Sequence, residues 1–529
     1  MSEAPPTRAT WKPSGNPWLI AVVVTSAAFM EILDTTIVNV ALPHIAGTMS
    51  ASVDESTWVL TSYLVANGIV LPISGWLSGV FGRKRYFMVC IAMFTIFSLL
   101  CGLAESLPQL ILCRVAQGFF GGGLQPNQQA IILDTFEPSQ RGRAFSLTAI
   151  ATIVAPVLGP TLGGVITDNA SWRWIFLLNV PIGIVAWVAV LRLVEDPPWA
   201  KAASRVGGVH IDYIGLALIS LGLGCLQYVL DRGEDADWFN SSTIQIVSIF
   251  SAAGLIGAVT WLLYTDRPIV NLRALANSNF ALGTIMIFVM GVILYSSSVL
   301  IPQLAQQQLG YTATLAGYLL SPGALLILFI IPVVGRILPL IQTRLIIAFG
   351  FTCLGFACLN AAHLNAQPDF YTMATLRAYQ TFGVAFLFVP ISTMAYATLP
   401  PALNRDAASL YTMFRNIGGS VGIAIATAMV TERGQVHMAH MAARITPYDQ
   451  AFNQTVARTA AALTGSAVPP TGITAAATGQ IYQTLINQSS IMAYLDLFEY
   501  CGILSFLLVP LCFMLPATRP GTRAAPAAH

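Results

Sequence analysis

Charge is what this 529-residue chain has least of: Asp, Glu, Lys and Arg together make up 9 % of it, against about 25 % in soluble globular domains. Beside 56 % apolar residues and a mean hydropathy of +0.71, that scarcity excludes a soluble protein and leaves an all-α, polytopic membrane protein. Site chemistry is scarce as well. No GxxxxGK[ST] phosphate loop and no HExxH helix occur, so nothing points to ATP hydrolysis or to a zinc hydrolase. The eight cysteines all fall in apolar stretches without metal-ligand spacing and read as small buried hydrophobes. His437 and His440 alone make a poor metal site. Gly121-Gly122-Gly123 follows no strand and is a packing or flexing element. No surface suited to nucleic acid is visible. No cofactor is expected. The N-terminus is short and polar and leads straight into a full-length apolar run, so the first span is expected to act as a signal anchor.

Fourteen apolar runs are long enough to cross a bilayer, near 18–42, 58–80, 86–104, 108–133, 144–167, 174–194, 213–230, 243–264, 279–301, 314–337, 345–363, 370–399, 407–430 and 491–515. Of the 25 Lys and Arg, seventeen fall in the tails and the even-numbered connections, five lie opposite, and Arg114, Arg377 and Arg415 are intramembrane. The positive-inside rule therefore puts both termini in the cytoplasm. The expected organisation is a tail 1–17, six spans over 18–195, an inserted pair within 196–278, six spans over 279–516 and a tail 517–529.

The first run carries Glu31 and Asp34 among Ile, Leu and Val. A carboxylate at mid-membrane costs roughly 2.5–3.5 kcal/mol, so such residues face an interior and are paired or functional. Three residues apart, the two acids lie about 60° apart on one side of a helix. Arg114 is too costly to face lipid. Asp34 is its expected partner, with Gln117 one turn on along the same face. If the pair opens in one state and closes in the other, protonation of Asp34 is coupled to conformation. A permanent structural ion pair is the alternative. Asn39 and Gln128 add neutral polar groups on the first and fourth spans.

An internal repeat is visible. Arg114-Val-Ala-Gln117 recurs as Arg377-Ala-Tyr-Gln380 and Gly159 as Gly422, both at an offset of 263, while Leu42-Pro43 matches Ile301-Pro302 at 259. Two six-helix halves with an inserted pair result, an architecture of membrane transporters. At the 259 offset Asp34 maps near Ile293, so proton chemistry is expected in the first half. Tyr295, Gln303, Tyr379, Gln380 and Phe382 are the substrate-facing candidates of the second, each equally compatible with ordinary packing.

Several stretches resemble one family. Gly75-Trp-Leu-Ser-Gly-Val-Phe-Gly82-Arg83-Lys84-Arg85 is similar to the cytoplasmic-loop signature of the major facilitator superfamily, and Leu110–Gly118 to its fourth-span signature. Ala155-Pro156-Val-Leu-Gly159-Pro160-Thr-Leu-Gly163-Gly164 resembles its antiporter motif. Leu33–Pro43 and Trp172–Gly183 are similar to stretches of its fourteen-span drug:proton antiporters, and the long last loop to the EmrB-type branch of Gram-negative bacteria. The resemblance implies a major facilitator fold and proton-driven export of lipophilic, drug-like compounds across the bacterial inner membrane by alternating access. A dedicated exporter of one metabolite, such as a siderophore or fatty acid, is the alternative. A membrane-embedded enzyme or sensor is more remote. Gly79 stands where the family commonly has Asp, which removes a gating ion pair; Asp134 is positioned to take Arg83 instead. Ala155 replaces a glycine that leads the span-5 motif.

The longest connection, 432–490, is expected in the periplasm, with helical flanks extending the last two spans and a flexible or extended connector at Ala460–Gly479. The resemblance implies that it docks a membrane-fusion adaptor protein, which hands substrate to an outer-membrane channel.

Overall fold

The computed structural model describes residues 13–197, 212–266, 268–364, 368–443, 445–446, 448–463 and 472–517, and their regular structure is all helical. Among the described residues, thirteen helices are long and apolar enough to cross a membrane. Span 1 is Pro17–Thr48, span 2 Val53–Phe81, span 3 Arg83–Gly102, span 5 Pro138–Asn169 and span 6 Arg173–Leu193. Spans 7 and 8 are Tyr213–Arg232 and Ser242–Tyr264. Spans 9 to 12 are Ser278–Gln307, Ala313–Ile337, Thr343–Ala362 and Phe370–Ala395. Spans 13 and 14 are Asn404–Ala442 and Ile473–Cys512. The expected fourth span is present as two shorter helices, Leu107–Gly121 and Leu124–Thr135.

Polar caps set where these helices begin. Asn16 accepts from the Trp18 amide at 2.9 Å, and Ser52 with Glu55 closes a capping box on span 2. The break in span 4 is a packing event. A Cβ at Gly122 would stand 2.7 Å from the Asn67 carbonyl, and one at Gly123 would stand 2.6 Å from Cys90 Sγ. Only glycine lets spans 2 and 3 approach this closely. The 263-residue offset carries Gly123 to Phe386, where span 12 breaks between Phe370–Ala385 and Phe388–Ala395. Spans 1 and 5 pack together, as do spans 9 and 13.

The inserted pair is more than a connection. Spans 7 and 8 meet backbone to backbone at Gly222 and Gly254. Span 7 then lies between the halves: Asp231 accepts from Thr61 Oγ1 of span 2, and Gln227 Nε2 donates to Ser420 Oγ of span 13 at 3.1 Å.

Spans 13 and 14 run 39 and 40 residues, roughly 60 Å each at 1.5 Å per residue, twice the hydrocarbon thickness. Arg433 Nε and His437 Nε2 both reach Asp496 Oδ2, at 2.6 and 2.8 Å, and tie the extensions together. The connector expectation is corrected here. Gln450–Leu463 is a helix packed on the span 14 extension, and span 14 is already helical from Ile473. Residues 464–471 lie outside the described residues. Pro469-Pro470, which mark the stretch as a connector, fall among them, while the described parts on either side are rich in Ala, the strongest helix former.

Candidate functional site

A cavity of about 680 Å³ lies between the halves. Spans 1, 2, 4, 5 and 7 line one side, and spans 9 and 13 the other. It reaches His44, Asp168, Asp231 and Gln307, at the end from which the long extensions project. The opposite end is closed by contacts between halves. Ser74 Oγ and Ser409 Oγ are 3.0 Å apart, Tyr396 Oη donates to Gln129 Oε1 at 3.1 Å, and Leu338 packs on Gly142. The lining holds Glu31, Asp168 and Asp231 but neither Lys nor Arg.

The two acids of span 1 do not share one network. Asp34 is fully buried and away from the cavity. Its Oδ2 accepts from Arg114 Nη1 at 2.6 Å, and its Oδ1 from Asn179 Nδ2 at 2.7 Å and Gln117 Nε2 at 3.2 Å. Arg114 also donates from Nε to the Val59 carbonyl at 3.0 Å and lies 4.1 Å above the Tyr63 ring. Glu31 lines the cavity instead. It accepts from Asn67 Nδ2 at 2.9 Å, from Tyr63 Oη at 3.4 Å and from Gln125 Nε2.

The second half repeats the arginine but not the acid. Arg377 is 1 % exposed and donates from Nη1 to Ser297 Oγ and from Nη2 to Ser298 Oγ, both at 2.8 Å. Ser297 stands at Asp34 plus 263, so one offset holds from span 1 to span 12. The mapping of Asp34 onto Ile293 is corrected by four residues. A four-residue slip is close to one helical turn and keeps the same face, so pattern alone does not separate the two registers. Among the described residues Arg377 has no carboxylate partner, and its Nε has no acceptor. Ser297→Asp is therefore expected to be tolerated and to keep or raise the melting temperature of the detergent-solubilised protein. Ser296→Asp, one position away and equally buried, is expected to lower it, since a lone buried carboxylate costs several kcal/mol.

The motif residues are placed as follows. Arg83 pairs with Asp134, as expected from the sequence, and also donates to the Ala130 carbonyl at 3.1 Å. Gly82 has φ +86°, a backbone conformation that favours glycine. Lys84 Nζ donates to the Leu191 carbonyl at 2.7 Å. The Arg405 guanidinium lies against Gly79, where an Asp side chain would stand, and a Cβ at Gly75 would be 2.8 Å from Ser409 Oγ. The loop glycines thus receive span 13 of the other half. In the span-5 motif, Gly159 and Gly163 pack on Thr36 and Ile37 of span 1, within the first half, while Thr161 packs on Gly317 of the other half. Pro156 and Pro160 line the cavity.

Of the substrate-facing candidates, Asn39, Tyr295 and Gln303 line the cavity. The others do not. Gln117 and Gln380 are spent on Arg114 and Arg377, and Gln128 on Thr25 and Thr148. Tyr379 is 63 % exposed, and Phe382 packs with Phe349 and Phe386. At 100° per residue, position 379 is turned about 160° away from the buried Arg377, so a helical wheel already places it outside. Sequence reasoning missed Asn67, Gln125 and Asn179, neutral side chains with no periodic signal. It counted Arg415 as intramembrane without giving it a partner.

Repeated helix bundles around a cavity open at one end and sealed at the other define a class, the secondary membrane transporters. Residues 24–423 match the Major Facilitator Superfamily, and the chain belongs to that family. It is 36 % identical over 450 residues to the probable multidrug resistance protein EmrY of Escherichia coli, covering 84 % of this chain and 87 % of that one. It is 37 % identical over 433 residues to the multidrug export protein EmrB of Haemophilus influenzae, covering 82 % and 84 %. The crystal structure of the human organic anion transporter MFSD10 shares the fold, with a TM-score of 0.55 at 12 % identity over 92 % of this chain and 99 % of that chain.

Proposed function

We propose that this chain is the proton-driven pump of a multidrug efflux system in a bacterial inner membrane. The observation that carries the reading is the sealed Asp34–Arg114 pair one turn from a second acid, Glu31, that faces the cavity. By the positive-inside rule the open end is periplasmic, so this is the outward-facing state. Protons enter through the acidic mouth and reach Glu31. When the halves rock, the Asp34–Arg114 pair opens and Asp34 takes up the proton, which it releases to the cytoplasm as the pair re-forms. An apolar cavity wall with a few polar groups suits lipophilic compounds. In everted membrane vesicles holding an imposed pH gradient, added ethidium or rhodamine 6G is expected to dissipate the gradient. Vesicles with the protein in which none of a broad panel of lipophilic compounds does so contradict the reading.

The stapled extensions of spans 13 and 14 and the helix Gln450–Leu463 are the proposed dock for the periplasmic adaptor and, through it, the outer-membrane channel. Replacing Ala451–Gln480 with a short Gly/Ser linker is expected to spare transport in everted vesicles and to abolish resistance in whole cells. Full resistance in cells with an intact outer membrane removes this loop as the dock.

A further inference from the structure

Arg415, on span 13 in the second half, is 1 % exposed and carries a permanent charge. Its Nη2 donates to Gln125 Oε1 of span 4, in the first half. Gln125 Nε2 in turn donates to Glu31. Besides this, Arg415 reaches Asn416 Oδ1 at 3.3 Å and the Phe388 ring at 5.8 Å, both uncharged. Among the described residues no carboxylate contacts it directly. The amide orientation follows from chemistry: a guanidinium only donates, so Gln125 turns its oxygen to Arg415, and its NH₂ is left to face the carboxylate.

We propose that Arg415–Gln125–Glu31 is a charge-sensitive latch between the halves, which holds the cavity open to the periplasm while Glu31 is ionised and lets go when Glu31 takes a proton. The inference rests on the outward-facing, proton-coupled reading above.

Burying a guanidinium without a counter-charge is costly, and the nearest anion offered to Arg415 among the described residues is Glu31, one amide away. With Glu31 ionised, both hydrogen bonds of the relay are charge-assisted and polarise one another. With Glu31 neutral, the chain loses its terminal anion and Arg415 is left with amides alone. The groups that face Glu31 are few. Span 2 offers Tyr63 and Asn67, span 4 Gln125, and span 9 Tyr295; the charges acting on it are Arg415 and Asp34. Spans 5 and 6 present no titratable group to it, and Asp168 stands at the mouth. Gln125 also follows directly on the Gly122–Gly123 break, so the second piece of span 4 carries the relay on its first turn. The latch acts in the direction that antiport requires: protonation from the periplasm frees the halves to turn inward.

The test reads conformation, without substrate or gradient. Spin labels on His44→Cys and Gln306→Cys, which line the cavity near its mouth from spans 1 and 9, report its width by pulsed electron resonance in nanodiscs, in a background free of native cysteines. The parent is expected to show the wide distance at pH 8 and a shift toward the narrow one at pH 5. Gln125→Ala is expected to lower the wide population at pH 8 at least tenfold, and Glu31→Gln to remove its response to pH. Gln125→Glu supplies Arg415 with a carboxylate of its own and is expected to keep the mouth wide at both pH values, an opposite shift that loss of folding does not produce. A parent distribution in Gln125→Ala, or an undiminished pH response in Glu31→Gln, overturns the latch. A protein that shows the latch but moves no proton in vesicles refutes the transport reading alone.

Discussion

Asp34→Asn is expected to abolish proton-driven export, with efflux reduced at least a hundredfold to the level of cells lacking the protein. The amide keeps the size of the carboxyl group but cannot titrate. It also leaves Arg114 buried without its anion, and removing one partner of a buried pair costs about 3–5 kcal/mol. A fall in melting temperature is therefore expected beside the loss of transport. Asp34→Glu restores the charge and separates the two effects: it is expected to recover the melting temperature in part. Efflux by Asp34→Asn at the level of the parent, at equal expression, removes Asp34 from proton coupling.

Arg114→Lys is expected to be nearly as damaging, with efflux down at least tenfold. The guanidinium reaches the Val59 carbonyl with Nε and both Asp34 and Gln117 with Nη1, while its face covers the Tyr63 ring. An ammonium can reach Asp34 but cannot hold the Val59 carbonyl and the stacked ring in the same pose. Retained efflux by this variant makes charge alone sufficient and assigns the planar geometry a structural role. Drug accumulation in intact cells, corrected for the amount of protein in the membrane, measures both substitutions.

Much of this was legible in the sequence because bilayer thickness disciplines it. Apolar run lengths gave the spans, and span 4 escaped a length criterion only where Gly122 and Gly123 interrupt it. Arg114 found Asp34, and Arg83 found Asp134, because a charge at such a depth has few partners. What stayed hidden depends on small rotations. Glu31 and Asp34 differ by only about 60° around span 1, yet one meets spans 2 and 4 at the cavity and the other meets spans 4 and 6 behind it. Neutral amides decide which network each acid joins, and Asn67, Gln125 and Asn179 carry no periodicity that marks them. Asn179 even sits inside the Trp172–Gly183 stretch that resembles the family, without a sign that it would reach Asp34. The second half was misregistered because a proline match one turn off keeps every side chain on its face. Ser297 and Ser298 then had no reason to stand out as the groups that receive Arg377.

Purified protein in proteoliposomes, with a two-unit pH gradient imposed across the membrane and no other energy source, tests proton coupling most directly. Substrate movement, followed with ethidium, and proton movement, followed with a trapped pH dye, are recorded together. The parent protein is expected to move ethidium against its own gradient with a simultaneous counterflow of protons, and Asp34→Asn to move neither. Uphill ethidium movement by Asp34→Asn, or by the parent with no accompanying proton flux, contradicts proton-driven export through the buried acid of span 1.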